Sequence, residues 1–126
     1  MTTTITEIAA EFSKGNFEAA CPHFDENVCW EIVGDKAVKG KSDVADFCGK
    51  MTTEIAGSQL VNTNIIVAGN NVAIEGNCHY TNADNKQAQV QYCDIYCFEN
   101  GKIRTITSYC INSIIAPVHD AKTTKQ

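Results

Sequence analysis

The chain lacks several features that would point to particular classes of protein. Its 126 residues include only two prolines, and no apolar run approaches the roughly 20 residues that a membrane span needs. The net charge is −5, and the ten basic residues are scattered rather than clustered as a nucleic-acid surface requires. We therefore expect neither a membrane nor a nucleic acid as a partner. The N-terminus has no basic segment followed by an apolar one, so we expect a cytoplasmic location.

The sequence also gives little support for disulfides or a cysteine zinc site, and it lacks the common cofactor-binding motifs. The chain has seven cysteines, an odd number, and no C-x-x-C pair, so we expect free thiols rather than a disulfide framework or a zinc site. No G-x-S-x-G elbow, phosphate-binding loop, dinucleotide fingerprint or H-E-x-x-H motif occurs. The sequence therefore predicts no cofactor and no metal.

The length suits one domain spanning residues 1–126, with predicted helices in its first half. Apolar residues spaced by three and four predict a helix over residues 4–14, with Thr4 or Thr6 as its N-cap and Gly15 as its stop. The remaining elements of this half are a short helix starting after Asn16, a strand over 28–34, a short returning strand over 37–40, and a helix over 43–55 capped by Ser42.

From Gln59 onward the hydrophobic pattern has a period of two residues. Four strands are predicted, over residues 60–69, 70–82, 86–100 and 101–115. Their short turns indicate an antiparallel meander, with the helices packed on one face. The predicted fold is α+β, a curved sheet around N-terminal helices, with a core at about 5–115 and a loose tail over 116–126.

One carboxylate in the third of these strands is out of place. The even positions from Val90 to Phe98 form an apolar row that has Asp94 at its centre, between Tyr92 and Tyr96. Asp94 is either a structural acid with local hydrogen-bond partners or a pocket residue that handles protons or a ligand. In an apolar pocket, desolvation would raise the pKa of its carboxyl.

The order of elements resembles a known family. A strand reading W-E-I-V-G, the segment K-G-K-S-D-V-A-D-F opening the long helix, and a final hairpin with F-E-N-G-K-I are similar to the SnoaL-like group of the nuclear-transport-factor-two-like superfamily. The resemblance implies a cone-shaped fold whose curved, mixed, mostly antiparallel sheet encloses a pocket. Because its members include isomerases, cyclases and non-enzymatic binding domains, the fold does not decide the function.

The resemblance also implies a set of site residues. It places Asp94 in the pocket as a catalytic acid or base, and G-N-C-H-Y adds Asn77 and His79, the latter as a second catalytic candidate. Steroid isomerisation is not favoured, because Ile8 and Ile32 stand where that reaction needs a tyrosine and an acid. The expected pocket wall consists of Trp30, Ile32, Phe47, Asn77, Tyr92, Tyr96 and Ile106.

The orientation of His79 has two readings. Hydrophobic alternation alone turns Cys78 and Tyr80 inward and leaves His79 in solvent, whereas the resemblance turns His79 towards Asp94. An enzyme of the cofactor-independent isomerase, cyclase or lyase kind would use the pair as acid and base on a hydrophobic carbonyl compound. A binding module would use Asp94 only to orient such a small hydrophobic ligand.

The second face of the long strands is apolar and is expected to be covered. It carries Ile95, Cys97 and Tyr109 among other apolar residues. The resemblance implies that this convex sheet surface forms a twofold homodimer.

Overall fold

The computed structural model describes residues 3–114. The helices are α1 (Ile5–Ser13), α2 (Phe17–Ala20) and α3 (Lys41–Glu54), with a 3₁₀ turn at Cys21–His23. The strands are β1 (Phe24–Ile32), β2 (Lys36–Lys39), β3 (Gln59–Ala68), β4 (Asn71–Thr81), β5 (Gln87–Glu99) and β6 (Lys102–Ile114). The predicted tail over residues 116–126 lies outside the described residues.

The six strands form one sheet in the order β2-β1-β6-β5-β4-β3. All neighbouring pairs are antiparallel except β1 and β6, which run parallel. The sheet is curved and not closed, and helices cover its inner face. The predicted α+β fold, with a mixed, mostly antiparallel sheet around the N-terminal helices, is confirmed. None of the described helices is long and apolar enough to cross a membrane.

Helix α1 is defined by local sequence signals. Thr4 Oγ1 accepts a hydrogen bond from the Glu7 N–H at 3.1 Å, and the Glu7 carboxylate accepts one from the Thr4 N–H at 2.9 Å, which forms a capping box. Beyond the helix end, Gly15 has a φ of 93°, which a glycine adopts without strain. Of the two N-caps predicted, Thr4 is the one used.

Two predicted boundaries are wrong. Helix α3 begins at Lys41, and Ser42 lies in its first turn instead of capping it. Its N-cap is Gly40, whose φ of 92° turns the chain directly from β2 into the helix. Strand β1 runs from Phe24 to Ile32 instead of over residues 28–34. A register shift against β6 between Phe24 and Cys29 interrupts the alternation at its start, which is why the hydrophobic pattern does not show the first four residues of the strand.

Strand register determines which side chains meet inside the fold. Ile74, Asp94 and Ser108 stand opposite one another on β4, β5 and β6. Because paired residues share a face, this row lies on the inner face of the sheet. The core beneath the helices consists largely of Ile8, Phe12, Phe24, Trp30, Val72, Ile74, Tyr96, Ile103 and Ile106.

Candidate functional site

Asp94 lies at the centre of the inner face and is held by two serines. Its side chain is buried, with the residue only 7% exposed. Ser108 Oγ donates a hydrogen bond to Oδ1 at 2.6 Å, and Ser13 Oγ donates one to Oδ2 at 2.8 Å. Ser108 comes from the neighbouring strand β6, whereas Ser13 comes from the last turn of α1. The carboxylate thus joins the sheet to the helix that covers it.

Two further hydrogen bonds determine which way the Ser108 and Ser13 hydroxyl groups point. Trp30 Nε1 donates to Ser108 Oγ at 2.9 Å, so the Ser108 hydroxyl proton is free to point at Asp94. The Tyr96 hydroxyl lies 2.5 Å from Ser13 Oγ. Since Ser13 donates to the carboxylate, Tyr96 is the donor in that contact. Two chains of donors, one beginning at Trp30 and the other at Tyr96, therefore converge on Asp94.

The electrostatic environment of Asp94 is unusual. Burial raises the pKa of the Asp94 carboxyl, and the hydrogen bonds from Ser108 and Ser13 oppose that shift. Asp94 makes no ion pair among residues 3–114. Among residues 3–114 only hydroxyl donors stabilise its ionised form, so this form is less favoured than in an exposed aspartate.

Tyr92 occupies the neighbouring position on the inner face. Its hydroxyl donates to Asn62 Oδ1 at 2.7 Å, and Asn62 Nδ2 donates to the carbonyl oxygen of Ala10 in α1 at 3.0 Å. The Tyr92 ring lies directly over Gly76, where an added Cβ would collide with it. Burial, and then the charge of Asp94, raises the pKa of Tyr92, which keeps this phenol protonated.

A cavity of about 330 Å³ opens beside Asp94. Its wall is mainly apolar and includes Phe12, Phe17, Phe47, Met51, Ile55 and Leu60. Asp94 and Ser108 contribute oxygen atoms to the interior, while Asp35, Lys36 and Glu54 contribute charges where α3 ends and the β1–β2 turn begins. An apolar space of this volume with a few polar groups is typical of a site for a small organic molecule.

Most residues predicted for the pocket wall lie on or behind it. Trp30, Ile32, Phe47 and Tyr92 line the cavity together with Asp94. Tyr96 and Ile106 are fully buried in the core, and Tyr96 reaches the site only through Ser13.

The predicted pairing of His79 with Asp94 is wrong. Asp94 pairs with Ile74, whereas His79 pairs with Gln89, five residues farther along β4 and on the other face of the sheet. His79 is exposed, and Asn77, which shares that outer face, is partly exposed. This is the orientation that hydrophobic alternation predicts. Cys78, the neighbour of His79, is buried and faces the cavity, so His79 points to the other side of the sheet.

Sequence reasoning missed the two residues that contact Asp94. Ser13 lies four positions after Ala9, so it belongs to the buried face of α1. That spacing was a usable signal. Ser108 could be found only from the register of β5 against β6.

The described residues offer no evident metal site. Residues 3–114 contain no group of three or more His, Cys, Asp or Glu side chains placed to hold a metal ion. All seven cysteines are free thiols, and Cys78 and Cys110 line the cavity.

Comparison with known proteins agrees with this architecture. Residues 5–106 match the sequence profile of the SnoaL-like domain. The chain belongs to this family. No curated protein matches the chain.

Solved structures extend the relationship. An NTF2-like protein of unknown function from Cytophaga hutchinsonii is 52% identical, with a TM-score of 0.81, over 82% of this chain and 93% of that one. A candidate SnoaL-like polyketide cyclase from Jannaschia sp. CCS1 is 11% identical, with a TM-score of 0.72, over 84% of both chains. The epoxide hydrolase/cyclase-like enzyme SalBIII is 19% identical, with a TM-score of 0.70, over 88% of this chain and 95% of that one. At these low identities, the last two show the shared fold alone.

Proposed function

We propose that this SnoaL-like domain binds a small, largely apolar molecule in its cavity and that Asp94 hydrogen-bonds one oxygen of that molecule. The observation that carries the proposal is a buried carboxyl in the wall of an apolar cavity, with no ion-pair partner among the described residues. Such a group costs folding free energy, which a ligand that hydrogen-bonds to it can offset. A protonated Asp94 would donate to a carbonyl oxygen, and an ionised Asp94 would accept from a hydroxyl.

The surroundings of Asp94 favour binding over chemistry that needs an acid/base pair. Its hydrogen-bond partners are two serine hydroxyls, and neither titrates in the ordinary pH range. The nearby donors are already engaged, since Trp30 donates to Ser108 and Tyr92 to Asn62. A developing oxyanion would find no free donor among them. Binding is therefore our first proposal.

Proton transfer by Asp94 alone is the second candidate, and the raised pKa of its carboxyl favours it. An ionised Asp94 would take a proton from the carbon beside a carbonyl and so produce an enolate. The same carboxyl would return that proton to another carbon of the conjugated system, giving an isomer of the substrate. This exchange needs no second titratable group, because the same carboxyl takes and returns the proton.

Intrinsic fluorescence offers a direct test, because the chain has one tryptophan and it lines the cavity. We expect small aromatic ketones and phenols to change Trp30 fluorescence saturably. Asp94→Asn should weaken phenol binding at a pH above the pKa of the Asp94 carboxyl and below that of the phenol, where the wild-type carboxylate accepts from the phenol hydroxyl. Glu75→Gln, an exposed acid on the outer face of β4, is the matched control and should leave binding unchanged. Equal affinities for all three proteins would contradict the role of Asp94.

We also propose that the outer face of the sheet forms a homodimer. Ile95, Tyr109 and Ile111 are 41%, 46% and 67% exposed on this face and would be shielded by a second copy. Light scattering at micromolar concentration should give about twice 13.7 kDa, and Ile111→Glu should give the monomer mass. A monomeric wild type would refute the proposal.

The seven free thiols support a reducing, cytoplasmic location.

A further inference from the structure

The cavity mouth carries a cation whose role the proposed function leaves open. Lys36 follows the β1–β2 turn, and its ammonium lies 4.9 Å from the centroid of the Phe47 ring. Lys36 is the basic residue in the cavity wall, and it makes no ion pair with any carboxylate of residues 3–114. The aromatic face therefore holds a positive charge at the entrance without neutralising it.

A continuous wall connects this charge to the buried carboxyl. The Phe47 ring packs edge-on against Trp30, with centroids 5.2 Å apart. Trp30 in turn donates to Ser108, the serine that donates to Asp94. A molecule that spans the cavity past Trp30 and Phe47 would thus present one end to Asp94 and the other to Lys36.

We propose that Lys36 is a specificity residue and that the ligand class is an amphipathic aromatic or polyene molecule with an anionic group at its outer end. This inference rests on the proposed function, because it assumes that the cavity binds a ligand. The carboxylate, phenolate or sulfonate of such a ligand would give the Lys36 ammonium the anionic partner that it lacks within the described chain. The apolar body would fill the space between Lys36 and Asp94.

Two carboxylates at the cavity mouth act against the attraction of an anionic ligand by Lys36. Asp35 and Glu54 also line the cavity and would repel an anion. All three charged residues are exposed, so water and salt screen Lys36 as well as the two carboxylates. Lys36 differs in that its ammonium lies against the Phe47 ring, and a ligand on that ring would exclude water from one side of the ammonium. The net preference for an anion should therefore be modest, about two- to fivefold in Kd.

A pair of probes that differ in one charge tests the inference. Anilinonaphthalene sulfonate is anionic, and N-phenylnaphthylamine has the same aromatic skeleton without the sulfonate. Binding is followed by Trp30 fluorescence, and its location by the alkylation rate of Cys110, which is in the cavity wall. The alkylation rate of Cys110 in the ligand-free protein is the reference for that measurement.

We expect Lys36→Met to raise the Kd of the anionic probe about two- to fivefold and to leave the neutral probe unchanged. Glu54→Gln should lower the Kd of the anionic probe. Lys39→Met removes an exposed lysine of the same strand that does not line the cavity, and it should change neither probe. Lys36→Arg should retain the wild-type preference.

The outcomes separate the two proposals. If the neutral probe binds and protects Cys110 but Lys36→Met changes both probes equally or not at all, the specificity role of Lys36 is wrong and the binding cavity stands. If neither probe changes Trp30 fluorescence or protects Cys110 in the wild type, the proposed function fails, and the role of Lys36 fails with it.

Discussion

Replacing Ser108 with alanine tests the hydrogen-bond chain that holds Asp94. The serine is 2% exposed, and it both accepts from Trp30 Nε1 and donates to Asp94 Oδ1. Ser108→Ala leaves two buried polar groups without their partner, and each such loss costs about 1–3 kcal/mol. Because the adjoining cavity can admit water, we expect a combined loss in the lower half of that sum, about 2–4 kcal/mol.

The loss should also depend on pH. The hydrogen bond from Ser108 lowers the pKa of Asp94, so its removal raises the folded-state pKa further above the unfolded value. An acid with a raised folded pKa destabilises the native state progressively as the pH rises above its unfolded value of about 4. The cost of Ser108→Ala should therefore be smallest in acid, where Asp94 is protonated, and should grow towards neutral pH.

Urea denaturation followed by Trp30 fluorescence measures the effect between pH 4 and pH 8. Ser113→Ala, at an exposed position on the opposite face of the same strand, is the control and should cost less than about 0.5 kcal/mol. A loss below about 1 kcal/mol for Ser108→Ala, or one that does not vary with pH, would refute the hydrogen-bond chain as a stabilising element.

Three further predictions concern the same face of the sheet. Asp94→Asn should gain stability relative to the wild type as the pH rises, since the wild type must ionise a carboxyl whose folded pKa is raised; parallel stability curves would contradict the burial argument. Gly76→Ala should cost about 3 kcal/mol or more in urea denaturation, because an added Cβ would overlap both the Tyr92 ring and the backbone carbonyl oxygen of Val61 in β3, and a loss below about 1 kcal/mol would mean that both groups can shift away. Cys110 is an exposed residue on the inner face, yet desolvation of its thiol, and then the charge of Asp94, raises its pKa to about 11; Asp94→Asn should therefore speed alkylation of Cys110 relative to the wild type, and an unchanged rate would show that the charge does not act on this thiol.

The fold could be predicted from local patterns, and the site only in part. Period-two alternation located β3–β6 to within about one residue at each end and centred Asp94 in an inward row, since a half-buried strand must alternate. The long-range partners of Asp94 left no comparable signal. Ser13 and Ser108 lie 81 and 14 residues away in the chain, and only tertiary packing brings them to the carboxyl.

The error at His79 has a clear physical cause. Alternation along β4 turns Ile74 and Cys78 inward, and a one-residue change of face would have exposed both of them. The family resemblance favoured the opposite orientation of His79 and took no account of this cost. Because each exposed apolar side chain loses about 1.5–3 kcal/mol of burial, the hydrophobic pattern was the stronger argument.

The hydrogen-bonded group around Asp94 is difficult to explain by stability alone. A buried carboxyl without a cation is costly, and apolar side chains of similar volume at such positions are often neutral or stabilising. In this chain Ser13, Ser108, Tyr96 and Trp30 are all oriented to serve that one carboxyl, and no buried side-chain nitrogen or oxygen of the described residues lacks a partner. A fold that only needed to fill its interior would not require this arrangement. Residues that reduce stability are the ones expected at a site of function, and here they border a largely apolar cavity of about 330 Å³.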